Sequence, residues 1–325
     1  MNKLLNAQLN LLADRIIQKS EFCPNEGLLD GKMGICIFLY HYARFFGNDT
    51  IISLADDLVD SVYEQVFKNK SLKFENGITG IAWGLHHLTH NNFVEADLND
   101  VLFEVDKRFM KKVEQHETIL NDEWFGAGLY VLLRLTPDSK EIWEETVKLL
   151  ISQLKRQFVF SRYMDFCIKV FKCKTISIII LFLAKIYKYN ICRSEIEAIC
   201  SNLDQSLVIS HETEKNSADK KLFEYITKEA EKTIPTFSIP NKIKITTFQQ
   251  ITMLDLNTCY LNKLFFPDFG TDKTILSDKT AQIISDTHLI PGLLSFFRSG
   301  NMGLCSHITG LAWTLLQMAI IKKAN

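Results

Sequence analysis

The chain has 325 residues, 47% of them hydrophobic and 23% charged, with a net charge of −1. That balance excludes a disordered, collagen-like or low-complexity chain. It also leaves no basic excess to neutralise phosphates, so nucleic acid is not expected as a partner.

Residues 1–17 read as an amphipathic helix, with Leu4, Leu5, Leu9, Leu12 and Ile16 on one face. Asn6, Gln8, Asn10 and Asp14 interrupt any apolar core of the kind a signal peptide needs. A more uniformly apolar segment, 27–47, follows. Asn48-Asp49-Thr50 then caps a helix over 51–67. Within it, Asp56, Asp57 and Asp60 spell the DDxxD pattern with which isoprenoid synthases hold Mg²⁺ on a diphosphate. The other reading is a charged outer face, and no second acidic motif accompanies it.

The next apolar segment, 75–88, carries Trp83 and leads into His86, His87 and His90. An i,i+4 histidine pair can bind a metal on a helix, or these residues mark the exposed end of that helix. A third apolar segment covers 122–135. Glu75, Asp122 and Glu123 lie where apolar helices start. Paired carboxylates there could do glycosidase chemistry, or they are solvated loop acids. Thr136-Pro137-Asp138 predicts a cap with proline at the first helical position, opening a helix to about residue 158.

The fourth apolar segment is 172–187. Its longest apolar run, 176–184, is too short for a membrane span. Ser194 with Glu197 predicts a capping box for a helix over 195–206. Residues 211–232 are polar and Lys/Glu-rich, and 237–247 is the best strand candidate. A last apolar segment covers 303–321 and places Trp313 three residues after Gly310, as Trp83 stands three after Gly80. The eight cysteines form no CxxC pair, so reduced thiols in a cytoplasmic protein are expected.

The apolar segments repeat. Each carries a small residue, then Ile or Leu, then an apolar run. The anchors Gly34, Gly80, Gly128, Ser177 and Gly310 are spaced 46, 48, 49 and 133 residues apart. A period of about 48 holds two helices and two loops, hence a helical-hairpin repeat. A helix apolar all round must be buried, and an amphipathic one can cover it. The long gap has room for one more hairpin plus an insertion, giving six units. Such hairpins close into a ring or stack as an open solenoid. Of the 14 glycines, none falls in 129–269.

With these motifs the chain resembles the lanthionine synthetase C-like cyclases, here a degenerate member. The resemblance covers nearly the whole chain. It implies an all-α fold, an (α/α)6 toroid in a single domain over 1–325, with an irregular insertion in one repeat at about 207–250. The family's sixth motif, Gly-Leu-Cys-His-Gly-x-x-Gly, meets Gly303-Leu304-Cys305-Ser306-His307-Ile308-Thr309-Gly310. Ser306 stands in the histidine slot and His307 one place later. The fifth motif, Trp-Cys-Tyr-Gly-x-x-Gly, meets Thr258-Cys259-Tyr260-Leu261-Asn262-Lys263-Leu264. Taking Leu264 as the fifth anchor splits the gap into 87 and 46 residues, which restores the period. The fourth motif's acid/base histidine is Cys173 here.

The resemblance implies zinc (Zn²⁺) as the cofactor, held by Cys259, Cys305 and His307. It implies peptide modification of the lantibiotic kind on ribosomally made peptides (RiPPs). A peptide cysteine would add to a dehydrated serine or threonine, forming a thioether ring. Zinc would lower the pKa of the incoming thiol. The implied partners are a precursor peptide and a dehydratase, and the implied location is the cytoplasm. A catalytically impaired member that binds a peptide or protein partner is the alternative. A glycan-acting α/α toroid enzyme is a third class, resting on architecture alone.

Overall fold

The computed structural model describes residues 2–29, 31–66, 68, 71–115, 123–156, 173–206, 217–237 and 307–324. The described residues are all-α: the regular elements are helices, with no strand among them. The strand candidate at 237–247 lies outside them except for Phe237, which is buried. The chain forms two compact units. Unit 1 comprises 1–98 and 250–325, and unit 2 comprises 99–249.

Unit 1 holds α1 (Asn2–Ser20), α2 (Lys32–Phe46), α3 (Asp49–Val66), α4 (Ile78–His90) and α11 (His307–Ala324). As the pattern predicts, α1 buries Leu5, Leu9, Leu12, Ala13 and Ile16. The apolar helices are enclosed on every side. In α2, Met33 to Tyr40 are all buried, and in α4 Ile78 to Leu85 are. By contrast, α3 buries only Ala55, Leu58, Val59, Val62 and Val66, the stripe by which it lies on α2. The Tyr40 hydroxyl donates to Asp56 of α3, and Tyr42 donates to Asn10 of α1 at 2.7 Å. Thus α2 is tied to the helices that cover it. The cap at Asn48 is present: its Oδ1 accepts from the Ile51 N–H at 3.3 Å. Just before it, Gly47 ends α2 with φ +69°, a left-handed turn that favours glycine.

Unit 2 holds α5 (Leu98–Glu114), α6 (Trp124–Arg134), α7 (Lys140–Lys155), α8 (Cys173–Lys188), α9 (Arg193–Ser206) and α10 (Ser217–Thr233). Here α6 and α8 are the enclosed pair. A side chain on Gly128 would put its Cβ 2.5 Å from Ile178 Cγ2, so the two backbones approach closely because that position is glycine. Phe109, Tyr130 and Trp143 form a ring cluster that joins α5, α6 and α7, with centroids 5.2–5.9 Å apart.

Two sequence expectations are corrected. First, the helix expected from Thr136 begins at Lys140. Thr136 Oγ1 does accept from the Ser139 N–H at 3.2 Å. However, the Ser139 hydroxyl donates to Arg134 O at 2.7 Å and accepts from Thr136 N, closing a separate turn before the helix. Second, the capping box at Ser194 does not form. The helix already begins at Arg193, Ile196 N donates to Cys192 O, Ser194 donates to Glu195, and Glu197 accepts from Tyr187. Within the expected insertion at about 207–250, residues 217–233 form the helix α10. It lies against α8 and buries Leu222, Phe223, Ile226 and Ala230, a helical stripe that its high charge conceals in the sequence.

Candidate functional site

The glycine-marked loops that lead into α2 and α4 lock together, backbone against backbone. Leu29 N donates to Glu75 O at 2.8 Å, while Lys32 N donates to Asn25 O at 2.8 Å and Ile78 N to Ser71 O at 3.0 Å. The Thr79 hydroxyl adds a bond to Leu72 O at 2.8 Å. The first-turn N–H groups of Lys32 and Ile78, which a helix leaves unpaired, are therefore used by the loops. The packing leaves no room for a Cβ. At Gly27 it would lie 2.4 Å from Asn76 Cα, and at Gly80 it would lie 1.9 Å from Phe74 O. These glycines position the N-terminal ends of the two apolar helices.

Two turns further along the same helices, a polar pair sits in an aromatic setting. His41 Nε2 and His87 Nε2 are 2.9 Å apart. The ring centroids are 5.2 Å apart, longer than the nitrogen contact by about a ring's width, so the rings meet end-on. Trp83 stacks on His87, and Trp313 of α11 and Phe93 present edge contacts to His41. Arg44 lies 3.5 Å over the Phe93 ring and donates to Asn91 O and Asn92 O. Asn91 Nδ2 donates to His87 O and lies 3.3 Å from His87 Nδ1. An amide nitrogen can only donate, and this contact therefore assigns the His87 ring proton to Nε2, facing His41.

Burial holds both rings neutral. It pulls His41 down to about 4, with Arg44 adding to the shift. It pulls His87 to about 3, with further repulsion from His41, His86, His90 and Arg44. The pair is a neutral hydrogen bond, and the same burial opposes placing a cation there.

His87 is therefore not simply the exposed end of a helix, as the sequence suggests, although His90 is exposed. The pair carries a sequence signal that the reading missed: His41 and His87 each stand seven residues after an anchor glycine, 46 residues apart. His86 and His90 do stack, with centroids 5.6 Å apart. The Trp313 indole N–H, buried beside His41, has no hydrogen-bond partner among the described residues.

The other sequence candidates divide. Cys259 and Cys305 lie outside the described residues. His307 is the first residue of α11, and Cys173 is the first of α8; neither side chain is described. Asp122 also lies outside. Glu123 is buried and accepts from Lys112 Nζ at 3.1 and 3.3 Å, so it is an ion-paired acid, not a solvated one. Asp57 and Asp60 are exposed on α3, as an outer charged face requires. Among the described residues no three His, Cys, Asp or Glu converge on a possible metal position. Burial pushes the Cys36 thiol far up and Cys200 up to about 12, so both stay protonated at neutral pH. No helix among the described residues is long and apolar enough to cross a membrane.

A family model described as Lanthionine synthetase C-like protein matches residues 25–166. The match spans α2 to α7 and the first three anchor glycines, including both interlocked loops. No curated protein matches the chain.

Proposed function

We propose, from the premise that this chain belongs to the lanthionine synthetase C-like family, that it acts in peptide modification as a zinc-assisted thioether-forming cyclase. The observation that carries this reading is the interlocked pair of loops around Gly27, Gly31, Gly77 and Gly80, within the matched stretch. They anchor the N-terminal ends of the apolar helices, the ends at which family motifs stand. The 46-residue step from Leu264 to Gly310 keeps the period and supports pairing Cys259 with Cys305. The proposed whole is one toroid domain over 1–325, with a precursor peptide as substrate, a dehydratase as companion and a cytoplasmic location.

Two thiolates and an imidazole are a donor set that zinc accepts, and three protein ligands leave its fourth position open. Cys259, Cys305 and His307 would hold the ion. When bound, zinc lowers the pKa of a coordinated substrate thiol. The reaction joins the peptide cysteine sulfur to the β-carbon of a dehydroalanine or dehydrobutyrine. The carbon–carbon π bond breaks, the thiol loses its proton, and the α-carbon gains one. Mass is unchanged.

Ser306 in the histidine slot and Cys173 in the acid/base slot favour a second reading, a catalytically impaired member that holds a peptide without closing a ring. One assay separates the two. A dehydrated peptide with a single cysteine is incubated with the zinc-supplemented chain, and its free thiol is then counted by alkylation and mass spectrometry. The cyclase reading expects the thiol to disappear with no change in peptide mass, and expects Cys305→Ala to abolish the effect. Peptide binding with the thiol intact would establish the second reading instead.

A further inference from the structure

Unit 2 contains a cavity of about 450 Å³ between the C-terminal parts of α8 and α10, closed on one side by the turn after α6. That volume lies in the range of small-ligand pockets. Pro137, Leu181, Ala184 and Ala230 give it apolar walls, and Lys185 and Lys188 stand in the same lining.

The hydrogen bonds around this cavity are unbalanced. Four acceptors at or beside it are met by protein donors. Lys185 Nζ donates to Leu132 O at 2.6 Å, and the Tyr189 hydroxyl donates to Leu135 O at 3.3 Å. The Thr233 hydroxyl donates to Glu229 O at 3.0 Å, and Lys232 holds the Glu229 carboxylate at 2.6 Å. The donors are not all used. An ammonium group has three N–H bonds, and among the described residues Lys185 spends one of them. Neither Lys185 nor Lys188 has a carboxylate partner among the described residues. Lys185 is also partly buried, and burial lowers its pKa. A partly buried cation is costly unless it is paired, and among the described residues only Leu132 O meets it.

We propose that this cavity binds a small carboxylate carried on a short aliphatic chain. The carboxylate meets Lys185 and Lys188, and the chain lies along Leu181, Ala184 and Ala230. Leftover donors select an acceptor, and the apolar walls select a hydrocarbon tail over a bare inorganic ion. Such a group occurs on a free aliphatic acid and at the C-terminus of a peptide. The cavity lining includes none of the proposed zinc ligands, and its test is independent of cyclase activity.

The test is calorimetric titration of the full chain with hexanoate and with N-acetyl-leucine, each compared with its neutral amide. The expected result is one saturable site for the acid, with the amide weaker by about tenfold or more, as loss of a charged hydrogen bond implies. Lys185→Met should weaken the acid by about the same factor, and the exposed Lys188→Met by less. Tighter hexanoate would point to a free acid, and tighter N-acetyl-leucine to a peptide terminus. Equal binding of acid and amide, no saturable binding of either acid, or an unchanged affinity in both lysine variants would overturn the proposal. If Lys185→Met fails to fold, the acid–amide comparison and Lys188→Met still decide.

Discussion

Replacing Gly80 with alanine is expected to destabilise the protein by about 3 kcal/mol or more, the upper end for overpacked positions. The new Cβ would stand 1.9 Å from Phe74 O, 2.9 Å from Phe74 C and 3.1 Å from Leu28 Cβ. Its nearest obstacles are backbone atoms, which cannot swing aside as a flexible side chain can. The 71–77 loop must therefore move, and the bonds from Ile78 N to Ser71 O and from the Thr79 hydroxyl to Leu72 O move with it. The natural control is Gly47→Ala. Nothing stands within 4 Å of a Cβ there, and only the left-handed φ of +69° is unfavourable. That conformational cost is about 1 kcal/mol. Thermal melts should rank the Gly80 variant well below the Gly47 variant. A Gly80→Ala melt within a degree or so of the parent would mean the loops do not interlock as described.

Acid should weaken the protein through the His41–His87 pair before most carboxylates titrate. The folded values, about 4 and about 3, lie below the ordinary 6.5. Between those limits the unfolded chain binds protons that the folded chain refuses. Stability is therefore full above about pH 6.5 and falls as the pH drops toward 4. Each imidazole contributes a slope of up to about 1.4 kcal/mol per pH unit, reduced by whatever solvent reaches the ring. Urea midpoints at pH 7, 6 and 5 measure it. The double variant His41→Leu, His87→Leu should flatten the dependence. A parent midpoint that stays level from pH 7 to 5 would rule out the neutral pair.

The two kinds of helix were legible because their cause is periodic. An enclosed helix such as α2 is apolar all round, and a covering helix such as α3 carries one stripe, so each can be told from composition and spacing. The cap at Asn48 was legible because a side-chain acceptor before a helix acts locally. What failed depended on competition between local bonds. At 136–140 the Ser139 hydroxyl satisfies Arg134 O, and the helix starts later than Pro137 suggests. In α10 a high Lys/Glu content concealed an apolar stripe that matters only because α8 is there to receive it.

The histidine pair was missed for a different reason. His86, His87 and His90 attract attention as neighbours in sequence, yet the contact runs from His87 to a residue one repeat earlier. Comparing repeat-equivalent positions, seven residues after each anchor, would have found it. Of the proposed metal ligands, only the backbone place of His307, at the start of α11, is described.

The most direct test of the central proposal is the zinc content of the purified full chain. About one zinc per chain is expected, as a tight site holds its ion through purification. Cys305→Ala and Cys259→Ala should lose it, and His307→Ala should retain it poorly. Tight zinc in the His307 variant would assign the third ligand elsewhere. Less than about 0.1 zinc per chain in the parent, with none taken up when zinc is supplied at neutral pH, would contradict the zinc-assisted reading.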